Sequence, residues 1–206
     1  MARYVELHPQ DPQPRRLSQV VDVLRDGGLI AYPTDSGYAL GARLGSKDAI
    51  DRIRAIRRLD DKHHFTLMCA TLAQAGSFVI LDNAAFRLVK SLTPGPYTFI
   101  VKGTKDVPRM MLQPRKLTVG ARVPDHRVAL AILAELGEPM LTSTLILPGT
   151  EEPMSEGWVV DDEVGHLVDV VVEAPVASVE PTTVVDLTSG APEVVREGAG
   201  DTSRFG

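Results

Sequence analysis

Leu29–Gly41 reads LIAYPTDSGYALG, and the fold of the whole chain turns on how this stretch is read. An apolar run from Leu29 to Tyr32 stops at Pro33; Thr34, Asp35, Ser36, Gly37 and Tyr38 follow, and the chain then becomes apolar again. A buried strand that ends in hydroxyls, a carboxylate and a glycine has the layout of a strand-end ligand site in an α/β sheet. The same residues suit a hydrogen-bonded turn between two strands, because Asp, Ser and Gly favour turns as well. Taken alone, the stretch leaves both readings open.

On either side of it, helix-like and strand-like segments alternate. Leu17, Val20, Val21 and Leu24 recur at helical spacing ahead of Gly27-Gly28, which tolerate a left-handed helix end. Ser46 is the expected N-cap of a helix through Arg58, with Ile50, Ile53 and Ile56 along one side. Strands are expected at Leu29–Tyr32, Phe65–Cys69, Tyr97–Lys102, Leu117–Val123 and Met140–Leu147. Asp82 caps a helix to about Ser91, a second helix spans Val128–Leu136 and stops at Gly137, and late strands fall at Leu167–Val172 and Thr183–Leu187. Glu151–Gly165, acidic and weakly periodic, reads as a surface insertion or lid, and Glu197–Gly206 as an irregular tail. This alternation predicts an α/β fold: one domain over 1–206 with a mixed or largely parallel sheet, its core about 13–198 and its insertion about 150–165.

The 206 residues are 44% hydrophobic, enough to bury a full core. No apolar run approaches the ~20 residues of a membrane helix. The N-terminus lacks a secretory apolar segment, so a cytoplasmic location and no membrane partner are expected. Cys69, the single cysteine, sits in an apolar run and reads as a core residue. The net charge of −5 is unevenly placed. Lys102–Arg127 carries seven cations against Asp106 and Asp125, whereas Thr150–Glu180 has nine acids and no Lys or Arg. An acidic chain with a local basic segment suits a small, phosphorylated anion better than a nucleic-acid coat; a solvated basic face is the plainer alternative.

Further segments stand in a fixed order after PTDSGY: Arg57-Arg58-Leu59, TPGPYTFIVKG at Thr93–Gly103, TVGARVPDH at Thr118–His126, EPMLTSTLILPG at Glu138–Gly149 and PTTVVDLTSGAPEVVREG at Pro181–Gly198. Together they resemble the YrdC/YciO family of threonylcarbamoyl-AMP synthase-like proteins, most closely its YciO branch, over about Gln13 to Gly198. The resemblance implies a YrdC/RibB-type twisted mixed sheet with flanking helices and a basic cavity on one face. It implies an ATP- or AMP-type nucleotide as ligand, with Mg2+ carried on the nucleotide. Family synthases join L-threonine, bicarbonate and ATP into threonylcarbamoyl-AMP and pyrophosphate, a nucleotidyl transfer in the t6A modification of tRNA. Fixed positive charge suits such a step, because it meets the charge developing on carbamate and pyrophosphate.

The resemblance also assigns residues. Thr34, Ser36, Tyr38, Arg57, His64, Thr98, Arg122, Ser143, Thr144 and Arg196 are the expected nucleotide- and substrate-binding set; no catalytic residue and no metal ligand is assigned. Arg122, at a strand end before Val123-Pro124, is expected to pin a carboxylate or phosphate, with a structural bridge to an acidic residue as the alternative. The family's KxR motif falls on Arg57-Arg58-Leu59 and its SxN motif on Thr144-Leu145-Ile146. A guanidinium thus replaces the lysine, Leu59 the arginine and Ile146 the asparagine, which implies weakened or altered activity. The alternative is a non-catalytic double-stranded RNA- or nucleotide-binding module that keeps the cavity. Weak, salt-sensitive RNA attraction is expected from Lys102–Arg127, without a tight specific complex. His63 and His64 diverge as neighbours and have no third ligand nearby in the sequence. Ser143 lacks a Gly-x-Ser-x-Gly setting, and no P-loop or GxGxxG run occurs.

Overall fold

A computed structural model describes residues 1–60, 63 and 65–205. Its elements in chain order begin with strand β1 (Arg3–Glu6), helix α1 (Pro14–Arg25), β2 (Leu29–Thr34), β3 (Gly37–Arg43), α2 (Lys47–Arg57) and β4 (Thr66–Met68). Next come α3 (Leu72–Ala75), β5 (Val79–Ile80), α4 (Asn83–Leu92), β6 (Tyr97–Gly103), β7 (Thr118–Arg122) and α5 (Arg127–Leu136). The chain closes with β8 (Met140–Thr144), α6 (Gly157–Val164), β9 (Val170–Glu173), β10 (Thr183–Asp186) and β11 (Glu193–Arg196).

All strands join one mixed sheet in the order β1-β9-β2-β3-β8-β4-β7-β6-β10-β11, with β5 antiparallel to β6. β2 and β3 form an antiparallel hairpin whose register runs from Leu29 opposite Ala42 to Thr34 opposite Gly37. The turn reading of PTDSGY is therefore the one realised, and the strand does not end in an open site. Gly37 explains it: its φ of +78° suits glycine, and a Cβ there would lie 2.3 Å from Pro153 Cβ.

The two sheet faces are covered differently. One packs Leu40, Leu67, Phe99, Val119 and Leu141 against α2, α4 and α6 through Ile50, Ile53, Val89, Leu92, Val160 and Val164. The other packs Ile30, Tyr32, Met68, Met140 and Val172 against Val20, Val21 and Leu24 of α1 and Val128, Ile132 and Leu133 of α5. Because paired residues share a face, the strands carry this second face onward beyond those helices, and there its side chains become small and hydroxylated. Thr142, Thr66, Gly120 and Ile100 lie on one rung of four adjacent strands.

Helix ends follow local chemistry. Asp82 accepts from Ala84 N and Ala85 N, and Gly137 ends α5 at φ +76°. Ser46 occupies the N-cap position of α2 but makes no cap bond; its hydroxyl donates instead to Gly27 O at 3.1 Å. The segment Glu151–Gly165, expected to be a surface insertion or lid, carries regular structure. Gly157–Val164 is helical, with Val160 and Val164 in the core, and Met154 O accepts from Tyr38 N at 2.7 Å. A helix that buries only two of its valines has too short an apolar stripe to register as periodic. The strand expected at Met140–Leu147 stops at Thr144, where the chain bends to meet Tyr38 O through Leu145 N.

Candidate functional site

The uncovered part of the second face floors a cavity of about 200 Å3. Thr66, Thr98, Ile100, Gly120, Thr142 and Val184 supply the floor, and Arg57, His63, Ser143, Thr144, Ile146, Thr182 and Arg196 the walls. Gly120 keeps the floor low: a Cβ there would sit 2.6 Å from Thr66 Oγ1 and 3.2 Å from Thr98 Cγ2.

Two guanidiniums face this space. Arg57, the last residue of α2, donates from Nη1 to Ser143 Oγ at 2.6 Å and from Nε to Ile146 O at 3.4 Å. Arg196 donates from Nε and Nη2 to Thr182 O at 3.1 and 2.7 Å, and from Nη2 to Thr182 Oγ1 at 3.1 Å. Thr182 Oγ1 is in turn 2.9 Å from Thr98 Oγ1. Among the described residues neither arginine meets a carboxylate. Burial, with Arg196 nearby, pushes Arg57 down to about 10, and burial with Arg122 nearby lowers Arg196. Arg57 therefore remains charged at neutral pH. Two cations whose only protein partners among the described residues are neutral oxygens leave room for an anion.

Arg57, Thr98, Ser143, Thr144 and Arg196 of the expected set meet on this cavity. Thr34, Ser36, Tyr38 and Arg122 do not line it. Thr34 Oγ1 donates to Gly37 O at 2.7 Å and accepts from Ser36 N at 3.0 Å, closing the hairpin turn. Tyr38 is fully buried and its hydroxyl donates to Val172 O at 3.0 Å. Arg122 does point to the PTDSGY turn, but as a structural partner: its Nη2 pairs with Asp35 Oδ1 and donates to Ser36 Oγ at 2.7 Å. Asp35 Oδ2 also accepts from Asp125 N at 3.1 Å, so the turn is fastened to the end of β7. Thr34 and Tyr38 thus spend their hydroxyl protons inside the fold, while Ser36 Oγ accepts from Arg122. His64 lies outside the described residues, and beside it His63 stands edge-on to Phe65 with ring centres 5.6 Å apart.

Thr66, Gly120, Thr142 and Thr182 were not singled out from the sequence. Three of them lie within strands, and only strand register brings them together. Their signal was there in part: a hydroxyl or glycine at an inward strand position weakens packing unless something else occupies the space. No group of three or more His, Cys, Asp or Glu able to hold a metal occurs among the described residues. No helix there is long and apolar enough to cross a membrane.

Residues 22–198 match the family model Sua5/YciO/YrdC, described as telomere recombination. The chain belongs to the Sua5/YciO/YrdC family. It is 48% identical to Escherichia coli YciO over 205 residues, covering all of both chains, and the crystal structure of that protein superposes with a TM-score of 0.96. It is 27% identical over 188 residues to the threonylcarbamoyl-AMP synthase of Coxiella burnetii, covering 90% of this chain and 99% of that one. P. abyssi Sua5 complexed with L-threonine shares the fold, with a TM-score of 0.85 at 22% identity over 96% of this chain and 57% of that one. Homology to the synthases is thus distant, while likeness to YciO spans the chain. The family fold, a mixed α/β domain with a central twisted sheet and flanking helices, is the one described above.

Proposed function

We propose that the cavity binds an adenine nucleotide by its phosphates, and that the protein carries out threonylcarbamoyl-AMP synthase-type chemistry more slowly than the family's synthases. The observation that carries this reading is the pair Arg57 and Arg196, two guanidiniums on one cavity with only neutral protein partners among the described residues. Arg57 Nη2 and Arg196 Nη1 have no described protein acceptor, so each can donate to a phosphate oxygen. Ser143 Oγ already accepts from Arg57, which leaves its proton for a ligand oxygen. A ligand that only accepts hydrogen bonds suits these donors, and a phosphate is such a ligand.

The described lining holds hydroxyls, guanidiniums and no carboxylate, so Mg2+ would be held by the nucleotide's own phosphates. Kinship with the synthases and with a Sua5 that binds L-threonine supports threonine and bicarbonate as co-substrates. A second reading, a binding module without the reaction, is favoured by Ile146, an apolar side chain on the cavity wall.

Calorimetric titration with ATP and with AMP tests the binding. Arg196→Ala and Arg57→Ala should each weaken it by about 1.5–3 kcal/mol through loss of a charge-assisted contact. Unchanged affinity in both variants, with the fold intact by thermal melt, would mean that nucleotide binds elsewhere or not at all.

A further inference from the structure

The connection from β6 to β7, residues 104–117, lines a second, open cavity of about 740 Å3. That volume lies within the roughly 300–1,000 Å3 of small-molecule sites. Its walls join two cations, Lys105 and Arg109, to Val107, Leu112, Pro114 and Leu117. They are held in place from several sides. Gly103 N donates to Leu117 O at 3.0 Å, and Thr104 donates from N to Phe78 O at 2.8 Å and from Oγ1 to Ser77 O at 3.0 Å. Gln113 Oε1 accepts from Arg115 N and Lys116 N at 2.9 and 2.6 Å, which fixes the turn ahead of Leu117. A Cβ on Gly103 would stand 2.6 Å from Leu112 Cδ2, so glycine allows that leucine to close against the strand end.

Three features of this connection serve neither the core nor the sheet-face cavity. Leu117 adopts φ +54°, a region that suits Asn or Gly and disfavours a bulky side chain, and it remains 55% exposed. Lys105 and Arg109 are exposed, and among the described residues neither forms an ion pair or a side-chain hydrogen bond. Val107 and Leu112 back onto the core, while Pro114 and Leu117 stay exposed beside the unpaired cations on the same concave surface. Concavity and size favour a small molecule over a macromolecular surface.

We propose that this cavity binds a small anionic amphiphile: a carboxylate, sulfonate or phosphate on an apolar body. Lys105 and Arg109 hold the charged end, and Leu112, Pro114 and Leu117 hold the apolar one. The site is separate from the nucleotide cavity and does not depend on its occupancy.

The probe is 8-anilinonaphthalene-1-sulfonate, titrated by fluorescence against the folded full chain, with neutral N-phenyl-1-naphthylamine as the uncharged control. One saturable equivalent of the sulfonate is expected. Lys105→Gln with Arg109→Gln, exposed changes that touch no core residue, should weaken it about ten-fold or more while the neutral probe is little affected. Leu117→Asn, which suits the backbone there, should weaken both probes with the melting temperature kept. Arg57→Ala and Arg196→Ala should change neither probe, and excess ATP should not displace the sulfonate. Equal sulfonate binding in the double variant, unchanged binding in Leu117→Asn, or displacement by ATP would overturn the assignment. Because the nucleotide reading is tested on Arg57 and Arg196, failure of one leaves the other standing.

Discussion

Arg122, 5% exposed, ends β7 against the Asp35 carboxylate, whereas Arg196 on β11 meets only threonine oxygens. Both are strand arginines that the motif pattern places in one binding set, yet their surroundings give them different roles. Arg122 Nε has no partner in its buried setting, so its charge relies on Asp35. Asp35→Ala should therefore strand a buried guanidinium and cost about 3–5 kcal/mol of stability, read from urea unfolding. Arg196→Ala should leave the unfolding midpoint nearly unchanged and act on nucleotide affinity instead. An unaltered midpoint in Asp35→Ala would show that water or another group compensates Arg122. The family resemblance marked Arg57, Thr98, Ser143, Thr144 and Arg196, through the motif segments that contain them. It could not separate Arg122 from Arg196, because the partner that neutralises Arg122 lies 87 residues away in sequence.

At the scale of elements, Asp169 shows how a short loop holds three of them. Its Oδ2 accepts from Leu29 N and from Arg52 Nη1, both at 2.7 Å, and its N donates to Leu29 O at 2.8 Å, so the starts of β2 and β9 and the side of α2 converge on it. Burial raises its carboxyl, but the Arg52 bond, the Leu29 N–H and the Arg52 charge outweigh that and hold it below the ordinary carboxylate value. A carboxylate depressed in the folded state stabilises above its unfolded value, about 4, and that contribution fades as pH falls through the lower folded value. The pair is half-exposed, so Asp169→Asn should cost only about 1 kcal/mol at pH 7, and less at pH 3, below the ordinary carboxylate value. Urea unfolding at both pH values tests it; a gap equally large in acid would rule out the ionised carboxylate as the cause. Elements with strong local signals were legible in the sequence, as at the Asp82 cap, the Gly137 stop and the Leu29–Tyr32 run. β1, β5 and β11 were not, since two to four residues at a sheet edge carry little alternation, and α6 was hidden by its acidic, solvent-facing side.

Across the whole molecule, the sheet assigns different tasks to its two faces, and that division decides what two of the three departures from the synthase motifs do. Leu59 packs against the large core cluster behind the sheet, whereas Ile146 stands half-buried on the wall of the sheet-face cavity. Leu59→Arg must therefore pull apolar surface from the core, costing about 1–2 kcal/mol of stability. Ile146→Asn instead replaces an apolar wall with an amide facing the space assigned to the ligand. An amide contact made in the transition state would contribute about 1.4 kcal/mol, or roughly ten-fold in rate. The measurement is threonine- and bicarbonate-dependent pyrophosphate release from ATP, in wild type and both variants, beside the 27%-identical synthase of Coxiella burnetii as reference. Wild type should turn over more slowly than that enzyme, Ile146→Asn should recover about ten-fold with its melting temperature preserved, and Leu59→Arg should lose stability without gaining rate. A wild type as fast as the reference would show that the chemistry never depended on the asparagine. A folded Ile146→Asn with no gain in rate or ATP affinity would place the divergence of this chain in its other walls, where Arg57 has taken the place of a lysine.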